Sequence, residues 1–253
     1  MGPDSPDCCL ALAVAHNDYP LRNPGNIFGR GVVLAAMRND PYANAPRLPA
    51  EPEVIDPRGM IGGASQPLEL EIGPGRGGFL FERLAAAPVC MIGLEIRRKW
   101  ATIVDNRLRE RGYGQRARVF SEDARSAVAR FPEACVSAVY IHFPDPWWKR
   151  RHHKRLVVGR DLVESLRRVL VAEGELFVQT DVEERAQAYF EILSGMPGLE
   201  PVGTSPWVDE NPYEARSTRE RRAIADGLPI HRLRYRKARV DSFSEMALPS
   251  HSE

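Results

Sequence analysis

From Gln66 onward, short apolar runs alternate with longer amphipathic segments, and this alternation limits the possible folds more than any other feature of the chain. The apolar runs predict strands at residues 68–72, 89–95, 117–120, 136–142, 174–180 and 229–236. The amphipathic segments predict helices at residues 77–86, 97–111, 158–171 and 183–195. Because strands that alternate with helices form a parallel sheet covered by those helices, we expect an α/β fold with helices on both faces of the sheet.

The segments on either side of this region differ from it in composition. Proline occurs nine times in the first 57 residues, and neither a helical nor a strand period survives between these prolines. We therefore expect an irregular proline-rich arm at residues 1–65, the main domain at 66–240 and a flexible tail at 241–253. Two interpretations of the arm are open, a disordered leader and an ordered segment that folds over a substrate.

Composition argues against several classes of protein. The 35 lysines and arginines are balanced by 34 aspartates and glutamates, so net charge indicates no partner, and a monomer and a homodimer fit equally well. Cys8, Cys9, Cys90 and Cys135 form no C-x-x-C pair, which argues against a metal site and a disulfide framework. No signal peptide is apparent, and no apolar run approaches the roughly 18 residues of a membrane span. We expect a cytoplasmic protein without a metal ion or a membrane segment.

A glycine-rich turn follows the first predicted strand, as Gly73-Pro74-Gly75-Arg76-Gly77-Gly78. Glycines let the backbone turn sharply and let a cofactor approach the amides at a helix N-terminus. The spacing also matches the weak G-x-G-x-x-G pattern of dinucleotide sites, and it fits a simple tight turn. Glu71 distinguishes a dinucleotide from a sulfonium cofactor, because a carboxylate repels a pyrophosphate but attracts the ammonium group of a sulfonium cofactor. The turn therefore favours S-adenosylmethionine.

Two more acids stand at the ends of the next two predicted strands. Glu95 is placed to accept both hydroxyls of a ribose, in a dinucleotide or in S-adenosylmethionine. Asp123 is placed to contact an adenine amino group, and it is an equally good helix N-cap. Because the carboxyl ends of parallel strands meet at one edge of a sheet, we expect these acids to line one crevice.

The most specific motif is Phe-Pro-Asp-Pro-Trp-Trp-Lys-Arg-Arg-His-His-Lys-Arg, at residues 143–155. Pro144 and Pro146 fix the backbone on either side of Asp145, so a carboxylate is held at a defined place where a strand ends. The basic block behind it indicates a polyanionic partner such as a nucleic acid. A second stretch, residues 216–239, has nine basic residues against two acids.

These motifs resemble the bacterial tRNA (guanine-N7)-methyltransferases of the TrmB type, over roughly residues 66–238. The resemblance rests on Leu70-Glu71-Ile72-Gly73-Pro74-Gly75-Arg76-Gly77, Ile92-Gly93-Leu94-Glu95, Asp123-Ala124, Phe143-Pro144-Asp145-Pro146-Trp147 with its basic tail, Thr180-Asp181 and Ser217-Thr218-Arg219-Glu220. It implies a class I S-adenosylmethionine-dependent methyltransferase fold, with a mostly parallel seven-stranded sheet. It also implies methyl transfer to N7 of guanine 46 in the variable loop of tRNA.

The resemblance also assigns roles to residues. Cofactor contacts are implied for Glu71, Gly73, Gly75, Glu95, Asp123 and Asp145, and Asp145 is also implied as the catalytic residue. Substrate contacts are implied for Lys149, Asp181, Ser217, Thr218, Arg219 and Glu220. The family usually has Thr where this chain has Ser217, so the register of that last contact is open. Asp181 is alternatively an N-cap for the helix predicted at 183–195.

The chemistry of this reaction asks little of the protein. Guanine N7 is an in-plane lone pair that attacks a methyl group without first losing a proton, so no strong base is needed. Asp145 would then orient the guanine and offset the positive charge that develops on it, while Lys149 holds phosphate. Two other functions stay open, a dinucleotide-dependent oxidoreductase and a non-catalytic RNA-binding protein with a methyltransferase fold.

Overall fold

The computed structural model describes residues 40–62, 65–144 and 157–239 of the 253-residue chain. Among these residues the strands are β1 (Leu68–Ile72), β2 (Cys90–Leu94), β3 (Ala117–Phe120), β4 (Val136–His142), β5 (Leu170–Thr180), β6 (Leu199–Pro201) and β7 (His231–Lys237). The helices are α1 (Gly78–Ala86), α2 (Arg98–Glu110), α3 (Ala124–Ala129), α4 (Arg160–Val169), α5 (Glu183–Ser194) and α6 (Thr218–Ala225), with a single 3₁₀ turn at Pro57–Met60. The six predicted strands and four predicted helices are all present.

The seven strands form one sheet in the order β3-β2-β1-β4-β5-β7-β6. The first five are parallel, and β7 runs antiparallel to both of its neighbours. The chain moves outward from β1 to β3 and then returns to place β4 beside β1. In open sheets of this kind, ligands bind beyond the carboxyl ends of the strands at such a reversal point. The topology therefore places the candidate site at the ends of β1, β2 and β4.

Helices cover both faces of the sheet, as predicted. On one face, α1 and α2 bury Phe79, Leu84 and Val104 against the strands. On the other face, α3, α4 and α5 bury residues such as Leu166 and Tyr189. All five residues of β1 are buried because the strand is covered on both sides.

Three elements were not predicted from the sequence. Helix α3 has only six residues, and β6 has only three, so neither offers a measurable period. Helix α6 lies within the basic stretch 216–239. Half of its residues are charged, so its short amphipathic pattern is not recognisable in the sequence. In addition, β5 begins at Leu170, four residues before the predicted start, because α4 ends at Val169.

The described part of the proline-rich arm, residues 40–62, is irregular apart from its 3₁₀ turn and packs on the domain. Leu48 and Ile55 are buried in the core. Arg130 donates hydrogen bonds to the carbonyl oxygens of residues 49, 50, 52 and 53, at 2.7 to 3.1 Å. The amide of Ser121, just past β3, donates to the carbonyl oxygen of Pro46 at 2.7 Å. This part of the arm therefore passes the carboxyl edge of the sheet at Pro46, while residues 1–39 and the predicted tail lie outside the described residues.

Two of the four cysteines lie within the described residues. Cys90 is buried, Cys135 is half-buried, and both are free thiols. None of the helices in the described ranges has the length and hydropathy to cross a membrane.

Candidate active site

The glycine turn has the conformation that its sequence predicts. Gly73, Gly75 and Gly77 have positive φ angles of 71°, 57° and 79°, which L-residues with side chains rarely adopt. The amide of Gly73 donates to the carbonyl oxygen of Leu94 at 2.9 Å, and the amide of Gly75 donates to Glu95 Oε2 at 3.0 Å. The turn is thus fixed to the end of β2.

Glu71, near the end of β1, is a buried acid with an incomplete set of partners. Its side chain is about 1% exposed, and within the described residues its Oε2 atom has no hydrogen-bond donor. Burial and, to a lesser extent, the neighbouring Glu95 raise the pKa of this carboxyl to about 8. This oxygen is available to a cation or a hydrogen-bond donor brought by a ligand.

Glu95 is 2% exposed, and both of its carboxylate oxygens are engaged. The Arg97 side chain donates to Oε1 at 2.9 Å and to Oε2 at 3.0 Å, and the Arg97 amide donates to Oε1 at 3.0 Å. These hydrogen bonds raise the pKa of the Arg97 guanidinium. Because the Arg97 side chain is 58% exposed, it has room to move away from Glu95.

Asp123 forms the N-cap of α3, which is one of its two predicted roles. Its side chain accepts a hydrogen bond from the Arg125 amide at 3.0 Å and pairs with the Arg125 guanidinium at 2.8 Å. The contact with Arg125 lowers the pKa of Asp123. Its predicted contact with adenine stays a prediction.

The end of β4 leads into the Pro-Asp-Pro motif through a constrained residue. Phe143 has a φ angle of 50°, an uncommon conformation for a bulky residue, and its amide donates to the Gln179 carbonyl oxygen at 2.7 Å. Pro144 is the last described residue before the gap. Asp145, Lys149 and the two tryptophans that follow Pro146 lie outside the described residues, and their roles stay predictions.

Gln179 of β5 connects the end of β4 to α6. Its Nε2 atom lies 2.7 Å from His142 Nδ1 and 3.0 Å from Glu220 Oε2, and all three side chains are buried. An amide has two N–H donors, and a carboxylate only accepts, so the second N–H is directed at His142 Nδ1. His142 then carries its proton on Nε2. Burial lowers the pKa of His142 to about 3, so the ring is neutral near pH 7.

The late segment 217–220 begins α6. Ser217 is the N-cap, and its hydroxyl accepts a hydrogen bond from the Glu220 amide at 3.1 Å. The Glu220 carboxylate is fully buried and accepts from Gln179, Asn211 and Arg232 at 2.9 to 3.2 Å. These contacts hold α6 against the sheet, and substrate contact by Glu220 stays a prediction.

The same segment lies directly against the glycine turn. A Cβ atom at Gly78 would be 2.6 Å from Thr218 Oγ1 and 2.9 Å from the Thr218 amide nitrogen. Only glycine therefore fits where α1 and α6 meet. Asp181, just past β5, forms an ion pair with Arg219 of α6. It is not the N-cap of α5, a position held by Val182, so that alternative is wrong.

The described site residues thus form two neighbouring groups. Glu71, Gly73, Gly75 and Glu95 lie together at the ends of β1 and β2, and the segment 217–220 adjoins them through Gly78. Sequence reasoning missed Gln179, although a polar residue in an apolar strand was a usable signal. It also missed Arg97 and Asn211, whose partners are defined only by the fold. Over the described ranges, no group of three or more His, Cys, Asp or Glu side chains is arranged to hold a metal ion.

Comparisons with known proteins identify a family model and several similar sequences. A family model described as "Putative methyltransferase" matches residues 65–233. A tRNA (guanine-N7)-methyltransferase of Myxococcus xanthus is 38% identical over 177 residues, which is 69% of this chain and 85% of that protein. The corresponding protein of Anaeromyxobacter dehalogenans is 38% identical over 72% of this chain and 92% of its own length.

The fold is also similar to that of a solved structure. The [4+2]-cyclase SpnF matches with a TM-score of 0.51 and 16% identity, over 72% of this chain and 78% of that chain. At this identity the similarity concerns the fold alone. With the strand order and the family match, it confirms the predicted fold class.

Proposed function

We propose that this chain, which belongs to the tRNA (guanine-N7)-methyltransferase family, transfers the methyl group of S-adenosylmethionine to N7 of a guanine in tRNA. We further propose that the target is guanine 46 of the variable loop, and that the enzyme acts in the cytoplasm. The observation that best supports this function is the buried Glu71 carboxyl, with one partnerless oxygen beneath the glycine turn.

The candidate crevice fits the polar groups of S-adenosylmethionine. Glu71 would accept the ammonium group of the methionine part, and Glu95 would accept the ribose hydroxyls once Arg97 moves aside. Asp123 would contact the adenine at the end of β3. The cofactor supplies an electrophilic methyl group on a sulfonium, and the protein holds that group at one place beside the turn.

The protein's task at the guanine is placement rather than proton transfer. N7 attacks the methyl group through its own lone pair, so the transferred methyl requires no base. Asp145 would fix the guanine through its N–H donors and offset the positive charge that develops on the base. Phe143 and Pro144, fixed by the hydrogen bond to Gln179, define where the motif leaves the sheet. Lys149, Asp181 and the segment 217–220 would hold the surrounding RNA.

The site is less suited to a dinucleotide-dependent oxidoreductase. A pyrophosphate at the glycine turn would offer the buried Glu71 carboxyl no cation, and it would repel that carboxyl whenever the carboxyl is ionised. Gly78, the third glycine of the apparent dinucleotide pattern, is needed for the close approach of Thr218. No observation on the described residues favours this second function.

A single assay tests the proposal. The purified protein is incubated with unmodified tRNA transcripts and S-adenosylmethionine labelled in its methyl group, and the tRNA is digested to nucleosides. We expect label in 7-methylguanosine, and we expect it to be lost when guanine 46 is replaced by adenine. Absence of label from the unsubstituted transcript would contradict the function, and label that persists after the replacement would contradict the position.

Replacing Asp145 by Asn tests the proposed catalytic residue. The substitution keeps the shape but removes the charge, so we expect kcat to fall by about a hundredfold, while the dissociation constant of S-adenosylhomocysteine changes by less than about threefold. Asp161→Asn, on the exposed first turn of α4, is the matched control and should leave both constants unchanged. Equal losses in kcat and cofactor affinity at Asp145 would make it a cofactor ligand only.

A further inference from the structure

An open groove of about 480 Å³ lies between α1 and α2, outside the crevice that holds the proposed cofactor site. It begins at Arg76 and Gly78, in the glycine turn, and is lined further along by Phe81 of α1 and Arg107 of α2. Arg111, just past the end of α2, completes the basic part of its wall. The groove therefore continues from the rim of the candidate active site along one face of the domain.

The three arginines of the groove carry positive charge that the described protein does not neutralise. In the described ranges, no carboxylate lies within ion-pair distance of Arg76, Arg107 or Arg111, and all three side chains are exposed. The Arg111 guanidinium lies 4.6 Å above the ring of Phe81, and the Arg76 guanidinium lies 5.0 Å above the ring of Trp100. Stacking uses the flat face of a guanidinium and leaves its N–H edge free to bind an anion.

The acid in the groove does not cancel this charge. Glu82 of α1 accepts a hydrogen bond from the Arg216 amide at 2.9 Å and forms an ion pair with Arg221 of α6. Its carboxylate is therefore already used to hold α6 against α1. The groove retains the charge of its three arginines.

We propose that this groove binds the phosphate backbone of tRNA on one side of the target nucleotide. The proposal rests on the proposed function, because it takes tRNA to be the substrate. Three guanidinium groups spread along a groove suit successive phosphates of a chain better than one small anion. Because the groove starts at the glycine turn, RNA that places a guanine in the crevice would pass directly over it. The contacts add affinity for tRNA without touching the reacting atoms.

The test removes two charges far from the chemistry. In the double variant Arg107→Gln with Arg111→Gln, we expect the KM for tRNA to rise about tenfold, with an equal loss of tRNA affinity in filter binding. The salt dependence of tRNA binding, as log Kd against log salt concentration, should become shallower by about two. The dissociation constant of S-adenosylhomocysteine and the melting temperature report whether the fold and the cofactor site are intact.

The matched control is Arg107→Lys with Arg111→Lys, which keeps both charges and should therefore keep the wild-type salt dependence of tRNA binding. If the Gln variant binds tRNA with wild-type affinity and salt dependence, the groove is not a tRNA site and the inference is wrong. Filter binding needs no catalysis, so this result is separate from the proposed function. The latter fails only if the wild-type protein does not methylate tRNA.

Discussion

At the scale of single residues, Glu71 constrains the candidate site most strongly. Its carboxyl is buried, one of its oxygens has no partner within the described residues, and its pKa is raised to about 8. At neutral pH without cofactor, this group therefore holds a proton. An ammonium group brought beside it would stabilise the charged form, so the proton should leave when the cofactor binds.

We therefore predict that binding of S-adenosylhomocysteine at pH 7 releases nearly one proton. The dissociation constant should fall by up to about tenfold between pH 6 and pH 7, because only the ionised carboxyl binds well. Calorimetry in buffers of different ionisation enthalpy measures the released proton directly. In Glu71→Gln both effects should disappear, and wild-type binding without proton release would show that Glu71 does not meet the ammonium group.

The same carboxyl predicts a pH effect on stability without cofactor. Its pKa in the folded protein, about 8, is above the ordinary 4.5, so the folded state binds this proton more tightly than the unfolded state. The Glu71 contribution to the free energy of unfolding should therefore decrease as pH rises from about 5 to about 8. Urea titrations across this pH range measure the free energy of unfolding of wild type and Glu71→Gln. This free energy should decrease less steeply with pH in the variant.

At the scale of secondary-structure elements, Gln179 connects three parts of the site. Its side chain joins β5 to His142 at the end of β4 and to Glu220 in α6, and its carbonyl oxygen holds the amide of Phe143. The residues that lead into the Pro-Asp-Pro motif are thus fixed through β5. Gln179 acts as a positioning residue, because it touches neither the proposed cofactor groups nor the glycine turn.

We predict that Gln179→Met lowers kcat by roughly tenfold to a hundredfold, because small displacements of a catalytic group are costly. The dissociation constant of S-adenosylhomocysteine should stay within about threefold of wild type, whereas a change in the KM for tRNA would report on Glu220, which loses one of its donors. Stability should fall by about 1–3 kcal/mol, since Glu220 and His142 lose a buried donor. Gln187→Met, at an exposed position of α5, is the control. A loss of stability with unchanged kcat would limit Gln179 to a structural role.

The elements also show what the sequence could and could not predict. Strands such as β1 and β4 were predictable because burial on both faces selects continuous apolar runs, and the glycine turn was predictable because positive φ angles select glycine. The buried contacts of Glu220 could not be predicted. Its donors Gln179, Arg232 and Asn211 are 41, 12 and 9 residues away in the sequence and meet it only after folding. The engagement of Glu95 by Arg97 was missed for a different reason, since two neighbouring charged residues at a strand end give no signal of pairing.

At the scale of the whole molecule, the described part of the proline-rich arm behaves as part of the domain. Proline removes a backbone donor but keeps its carbonyl acceptor, and Arg130 uses two proline carbonyls, those of Pro49 and Pro52. Ile55 is 2% exposed, whereas its neighbour Val54 is 60% exposed. The arm thus contributes apolar side chains to the core although it has almost no regular secondary structure.

This difference predicts unequal effects of two neighbouring substitutions. Ile55→Ala should lower the free energy of unfolding by about 2–4 kcal/mol, because it leaves a cavity in the core. Val54→Ala should change it by less than about 0.5 kcal/mol. Urea denaturation of both variants measures the two values. Equal, small effects would mean that the segment does not pack on the domain in solution.

The contact between Gly78 and Thr218 has a consequence for genetics. Codons 78 and 218 are 140 positions apart, yet the residues that they encode constrain each other. There is no space for one extra carbon atom between the starts of α1 and α6. A cell with Gly78→Ala would then lose the modification although every reactive group is intact. Second-site changes that restore the modification are therefore expected at the other side of this contact, around codon 218.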